Sequence, residues 1–206
     1  MIPKNFIEMW QNQVPWQTLA MVEQDLIISR VLVELYNNQQ IRDSLVFRGG
    51  TALNKLYLNP PSRYSEDIDF VQINPEPIGK TIDAIRKSLE TMFSEPIRKV
   101  TERSVKLIYR YNSIDNVQAK LKLEINTTEH FQVLELQNTD YQVESEWFKG
   151  DAKIVSYHLE EMMATKLRAL YQRRKGRDLF DLWLVLKNNL INIDNVINIF
   201  MQYCKK

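Results

Sequence analysis

The chain of 206 residues has a single cysteine, Cys204. It therefore cannot close an internal disulfide, and nothing in it asks for an oxidising compartment. Five glycines and seven prolines are too few for a collagen-like or low-complexity polymer. Neither sign of charge dominates: 27 basic side chains face 26 acidic ones, a formal net charge of +1. No global field steers the protein toward nucleic acid, so any basic surface must be local. No run approaches the ~18 uncharged apolar residues of a membrane span. The first 13 residues carry Glu8 and no apolar stretch, so they do not read as a signal peptide. What is present is a globular inventory, 44% hydrophobic and 26% charged, and at this length it can bury a full core. A cytoplasmic protein without a membrane partner is expected.

The apolar periodicity predicts a first helix over residues 15–36, with Pro15 in its first turn and Leu19, Val22, Leu26, Val31, Leu32 and Leu35 on one stripe. A short strand at Leu45-Val46-Phe47 stops at Gly49-Gly50. Thr51 then opens a two-turn helix that Asn59-Pro60-Pro61 must end. Residues 66–73 alternate as a strand, with Ile68 and Phe70 opposite Asp67 and Asp69. A helix follows on Ile78, Ile82, Ile85, Leu89 and Met92. Next come two alternating runs, 105–111 and 121–125, that read as a hairpin. Beyond residue 157 the pattern is helical, over about 157–174, 178–187 and 194–204, with Asp194 placed to cap the last. Leu179, Leu182, Trp183 and Leu186 predict the buried stripe of the middle one. The expected class is α+β: a mixed core over residues 1–150 and a helical region over 151–206 packed on it.

The chemistry concentrates in Phe47-Arg48-Gly49-Gly50-Thr51 and Ser65-Glu66-Asp67-Ile68-Asp69-Phe70. A strand that ends in two glycines at a helix start offers main-chain N–H groups at the positive end of the helix, with no Cβ in an anion's way. Alone, the pair is a weak signal and reads first as a tight turn. Asp67 and Asp69, two apart on a strand, point the same way. Carboxylates ~5 Å apart repel by ~3 kcal/mol at an effective dielectric of 20, a cost that Mg²⁺ would offset. A bare Asp-x-Asp is otherwise a solvated acidic face. Together the two elements set a phosphate cradle beside a divalent-metal site, the requirement for attack on a nucleotide α-phosphate. Lys120-Leu121-Lys122-Leu123-Glu124-Ile125 places Glu124 on a polar strand face. There it is a metal ligand, a general base, or a charge partner across the sheet. Between Met162 and Arg177 lie six basic residues and no acid. That segment suits phosphate or RNA, or simply helix salt bridges of Arg174 with Asp178 and Arg177 with Asp181 if one helix runs through Gly176.

The run from Phe47 to Phe70 resembles the glycine-pair and Asp-x-Asp signature of DNA polymerase β-type nucleotidyltransferases. Its wording, Arg-Gly-Gly-Thr-Ala-Leu followed by Arg63-Tyr64-Ser65-Glu66-Asp67-Ile68-Asp69-Phe70, is closer still to the AbiEii/AbiGii toxin family. The likeness resumes at Lys166-Leu167-Arg168-Ala169-Leu170 and Arg177-Asp178-Leu179-Phe180-Asp181-Leu182-Trp183. The resemblance implies a polymerase β-type fold, a mixed sheet flanked by helices with a C-terminal helical region closing over the cleft. It implies Asp67, Asp69 and a third carboxylate, here Glu124, around Mg²⁺ or Mn²⁺. Gly49, Gly50 and Thr51 would cradle the NTP phosphates, assisted by Ser65, Arg48 and Lys166, and Asp181 would be needed for activity, with Asp178 beside it. It further implies a type IV toxin–antitoxin or abortive-infection toxin with a separate antitoxin, and tRNA as the nucleotide acceptor. A protein or small-molecule acceptor, or a nucleotide-binding module without catalysis, are the alternatives the residues leave open.

Overall fold

The computed structural model describes residues 2–206, which divide into two compact units. The first comprises the residues up to His130 together with Asn138–Ser156, and the second comprises Phe131–Gln137 and Tyr157–Lys206. The fold is mixed α+β, built on a seven-stranded mixed sheet of order β3-β4-β5-β2-β1-β7-β6. Its strands are β1 (Leu45–Arg48), β2 (Asp67–Gln72), β3 (Ile97–Val100), β4 (Ser104–Asn112), β5 (Gln118–Asn126), β6 (Gln137–Glu144) and β7 (Lys149–Ser156). The central pairs fix the site. β1 runs antiparallel to β2, with Arg48 opposite Asp69, and β2 runs parallel to β5, with Asp67 opposite Lys122 and Asp69 opposite Glu124. The alternation predicted for β2, β4 and β5 holds: Ile68, Phe70, Val105, Leu107, Tyr109, Leu121, Leu123 and Ile125 are buried on the side away from the acidic pair.

The helices of this unit are α1 (Lys4–Gln11), α2 (Leu19–Tyr36), α3 (Gln39–Ser44), α4 (Gly49–Ala52) and α5 (Gly79–Leu89). The helix expected over 15–36 begins later, because Thr18 caps it through its hydroxyl, which accepts from Met21 N at 3.3 Å. Pro15 therefore lies in the connection after α1, a short helix that the sequence pattern did not single out. α4 passes directly into a π-turn over Leu53–Tyr57. Such wide turns recur at functional sites, and this one aims Lys55 inward. Its ammonium lies 2.8 Å from Asp25 Oδ2 and 2.8 Å from Ser29 Oγ, while Trp10 Nε1 donates to the same Asp25 oxygen at 2.9 Å. This buried ion pair holds the helix that follows the glycine pair against α2.

The second unit holds α6 (Leu159–Arg173), α7 (Gly176–Lys187) and α8 (Ile193–Cys204). Its polar core is Glu161, fully buried. Glu161 accepts from the main-chain N–H groups of Val133 and Leu134 at 2.7 and 2.9 Å and from the Tyr203 hydroxyl at 2.7 Å. The break expected between the first two helices of this unit is present: Arg174 caps α6 in a left-handed conformation with φ of 52°, so no single helix runs through Gly176. Three expectations are corrected here. Among the described residues Asp178 takes Arg173 at 3.4 Å and Asp181 takes Lys166 at 2.7 Å as ion-pair partners, where the sequence offered Arg174 and Arg177. The buried face of α7 is Asp178, Asp181, Leu182 and Val185, whereas Leu179, Trp183 and Leu186 are exposed. Drawing Asp181 inward to Lys166 turns the helix away from its purely apolar stripe. α8 is capped by Asn192, whose side chain accepts from Asp194 N at 2.9 Å, so Asp194 sits inside the first turn.

Candidate active site

The glycine pair and the acidic strand converge. Gly49 has φ of +88°, a conformation that favours glycine, and a Cβ built on it would lie 2.5 Å from Asp69 Oδ2. A Cβ on Gly50 would lie 2.5 Å from Arg63 Nη2 and 3.1 Å from Ser65 Oγ. Both missing side chains thus leave room that polar groups of the acidic segment fill. Thr51 binds the two segments together. Its hydroxyl donates to the main-chain carbonyl of Asp67 and lies 2.9 Å from Ser65 Oγ. The loop between them is held by Asn54, which donates to Arg63 O at 2.8 Å and accepts from Ser62 N at 3.3 Å. Arg48, at the end of β1, is engaged by Glu129 at 3.0 Å.

The carboxylates share a strand face but differ in their partners. Lys122, on the neighbouring strand, places its ammonium 2.7 Å from Asp67 Oδ2 and 3.6 Å from Glu124 Oε2. Glu124 Oε1 lies 3.2 Å from Lys106 Nζ. Partial desolvation works against the charge on Lys122, yet the Asp67, Glu124 and Asp69 carboxylates raise its pKa overall. Burial raises the Asp69 carboxyl; Arg48 opposes that shift, Asp67 and Glu124 add to it, and Lys122 opposes it.

Among the described residues no group of three or more carboxylate, histidine or cysteine ligands gathers as a metal cage. A two-carboxylate set does fit a hard cation, since Mg²⁺ is commonly held by one or two carboxylates plus substrate phosphates. The Lys122 ammonium against Asp67 shows that this face already attracts a cation. Lys166 and Asp181 belong to the second unit, where both are buried and paired with each other at 2.7 Å. Asp178 is also buried and takes Arg173 as its partner. Two residues escaped the sequence reading as site components. Arg63 packs over Gly50, with only its place in the quoted motif as a signal. Lys122 was marked only by sharing a strand face with Glu124.

The fold and this convergence define a class, the nucleotidyltransferases. The chain is similar in fold to MenT4, a nucleotidyltransferase toxin from Mycobacterium tuberculosis, at 17% identity and a TM-score of 0.66, covering 97% of this chain and 69% of that one. It is likewise similar to JHP933 from Helicobacter pylori, at 24% identity and a TM-score of 0.56, covering 84% of this chain and 71% of that one. No curated protein is matched. Residues 30–206 match the family described as the nucleotidyl transferase AbiEii toxin of type IV toxin–antitoxin systems, and the chain belongs to that family. It is accordingly a nucleotidyltransferase toxin, with a nucleoside triphosphate as substrate and an antitoxin as partner. Enzymes of this class usually use a divalent metal. No helix among the described residues is long and apolar enough to cross a membrane.

Proposed function

We propose that the protein transfers a nucleoside monophosphate from an NTP to the 3′ end of tRNA in the cytoplasm, in a Mg²⁺-dependent reaction. An acceptor hydroxyl attacks the α-phosphate in line, the new P–O bond forms as the bond to the β-phosphate oxygen breaks, and pyrophosphate leaves. The observation that carries this reading is the Asp69 carboxylate lying against Gly49, with Asp67 beside it on the same strand face. Anion cradle and acidic pair thereby adjoin.

Asp67 and Asp69 would hold the metal. When bound, it would neutralise phosphate charge and support the attacking and leaving oxygens. The main-chain N–H groups at Gly49, Gly50 and Thr51 receive the β- and γ-phosphates, with Ser65 and Arg48 beside them. Glu124 shares this face, with Lys106 and Lys122 beside it, and would serve as third metal ligand or as acceptor of the attacking hydroxyl's proton. Lys166 and Asp181 are required for transfer, the part that the family motif gives them. Incubation with each labelled NTP, Mg²⁺ and total tRNA tests the reading. Labelled tRNA with pyrophosphate release is expected. Label in protein or a small acceptor overturns the tRNA assignment, and binding without transfer overturns catalysis.

A further inference from the structure

The register carries a second pattern on the same open face of the sheet. Asp69, Glu124, Lys106 and Lys99 are successive partners across β2, β5, β4 and β3. Asp67, Lys122, Ile108 and Ile97 form the neighbouring row, and Lys120 with Arg110 forms the next. Strands lie ~4.8 Å apart and same-face rows ~6.6 Å apart. Two strands out from the acids, the surface thus becomes an apolar floor of Ile108 and Ile97. It is bordered on one side by Lys106 and Lys99 and on the other by Arg110 and Lys120. The residues between these positions in sequence, Val105, Leu107, Tyr109, Leu121 and Leu123, are buried, so the rows face outward. Ile97 is 41% exposed. Lys99, Arg110 and Lys120 are exposed as well, and none has an ion-pair partner among the described residues.

An open depression of about 380 Å³ continues the floor, lined by Ile97, Ile108, Arg110, Tyr111, Asn112 and Gln118 and, from the loop before β3, by Ser94 and Glu95, whose carboxylate is held by Arg86 at 2.8 Å. It exists because β3 ends where Ile97 pairs Ile108, so β4 beyond that point is paired by β5 on one edge and has no strand on the other. Its chemistry is that of a site for a nucleobase: an apolar wall for the ring face, and two carboxamides and a guanidinium for the edges.

We propose that this face binds the single-stranded end of an RNA acceptor. The phosphates lie on the two basic borders, bases lie over Ile108 and Ile97, and one unpaired base enters the depression. The inference rests on the reading of RNA as acceptor and adds the surface that holds it. Charge complementarity selects a polyanion, and continuity of the rows with Asp67 and Asp69 selects one that must end at the acids. An acidic protein would match the borders but has no reason to lead to the carboxylates. From the acidic strand to β3 is about 14 Å, three strand spacings, room for a few nucleotides.

The test is the triple variant Lys99→Ala/Arg110→Ala/Lys120→Ala, at exposed positions where substitution scarcely affects stability. Binding of a labelled single-stranded RNA oligonucleotide and of tRNA is followed by fluorescence anisotropy between about 50 and 200 mM salt. With ~0.7 released counterion per phosphate contact, the slope of log affinity against log salt should fall by about 2, and affinity should drop at least about tenfold at the lower salt. NTP affinity by calorimetry should not change. Wild-type RNA affinity and slope in the variant overturn this surface while leaving an RNA acceptor intact. Wild-type protein that neither binds nor labels RNA overturns both. Loss of an acidic partner protein with RNA binding retained also overturns it.

Discussion

The Asp69 carboxylate occupies the space that a side chain on Gly49 would need, with Oδ2 2.5 Å from the Cβ position. The relationship is reciprocal. Register fixes Asp69 opposite Arg48, and only a residue without Cβ at position 49 lets the helix start close beside the acid. Gly49→Ala faces two penalties, the left-handed φ and the collision. We expect a loss of about 1–3 kcal/mol in stability and a fall on the order of 10²-fold in kcat/KM from displaced reacting groups. Gly50→Ala meets the far end of the flexible Arg63 guanidinium and should cost clearly less on both counts. Equal effects of the two substitutions, measured by kcat/KM and Tm, would contradict the stated geometry.

Asp67→Asn and Asp69→Asn should each lower transfer on the order of 10²–10³-fold or more without unfolding the protein. Asp69 is disfavoured as an anion by its burial and its acidic neighbours, so neutralising it removes a cost. Asp67→Asn weakens one ion pair, that to Lys122, whose half-exposed setting limits the loss to about 1 kcal/mol. The measurements are Tm and Mg²⁺-dependent transfer. Full activity in both variants would remove the metal assignment.

Local pattern made much of this legible. Alternation placed Asp67 and Asp69 on one face and Glu124 on the polar face of its strand. The glycine pair marked the point where the helix start meets the acidic strand, and the hairpin followed from its apolar alternation. What sequence did not reveal is nonlocal. That Lys122 lies opposite Asp67 depends on a parallel pairing between strands separated by a helix and two further strands, which no periodicity reports. The facing of α7 was misread for a related reason. Leu179, Leu182, Trp183 and Leu186 make a good stripe by spacing alone. Burying Asp181 against Lys166 rotates the helix instead, a preference set by a residue on another element. α1 escaped notice because its inward residues, Ile7 and Trp10, are few and lie within a polar stretch.

The Lys166–Asp181 pair separates stability from function. Both groups are buried, so removing one takes away a close partner of a buried charge, and Lys166→Met should cost up to about 3–5 kcal/mol. Inactivity of that variant alone would therefore carry little meaning. The double variant Lys166→Met/Asp181→Leu replaces the pair by apolar groups and should recover much of the lost stability. If the two residues are needed for transfer, it stays inactive although folded. A folded double variant with wild-type kcat/KM would reduce the pair to a structural role.

Glu23 supplies a pH signature away from the site. It is fully buried on α2; one carboxylate oxygen accepts from Ile114 N at 2.8 Å, and the other has no hydrogen-bond partner among the described residues. Burial raises its pKa above the usual glutamate value, against the lowering effect of the Ile114 N–H. For an acid shifted upward on folding, the protonated form is favoured in the native state. Its stability contribution is fully present below the unfolded pKa and is lost as pH rises through the folded one. Glu23→Gln keeps an acceptor for Ile114 and abolishes the titration. At neutral pH the variant should be the more stable, by about 2–4 °C in Tm for each kcal/mol relieved. The difference should close below about pH 4, where wild type is also protonated. Thermal melts across that range decide it, and a gap independent of pH would mean that the buried carboxyl carries no charge to relieve.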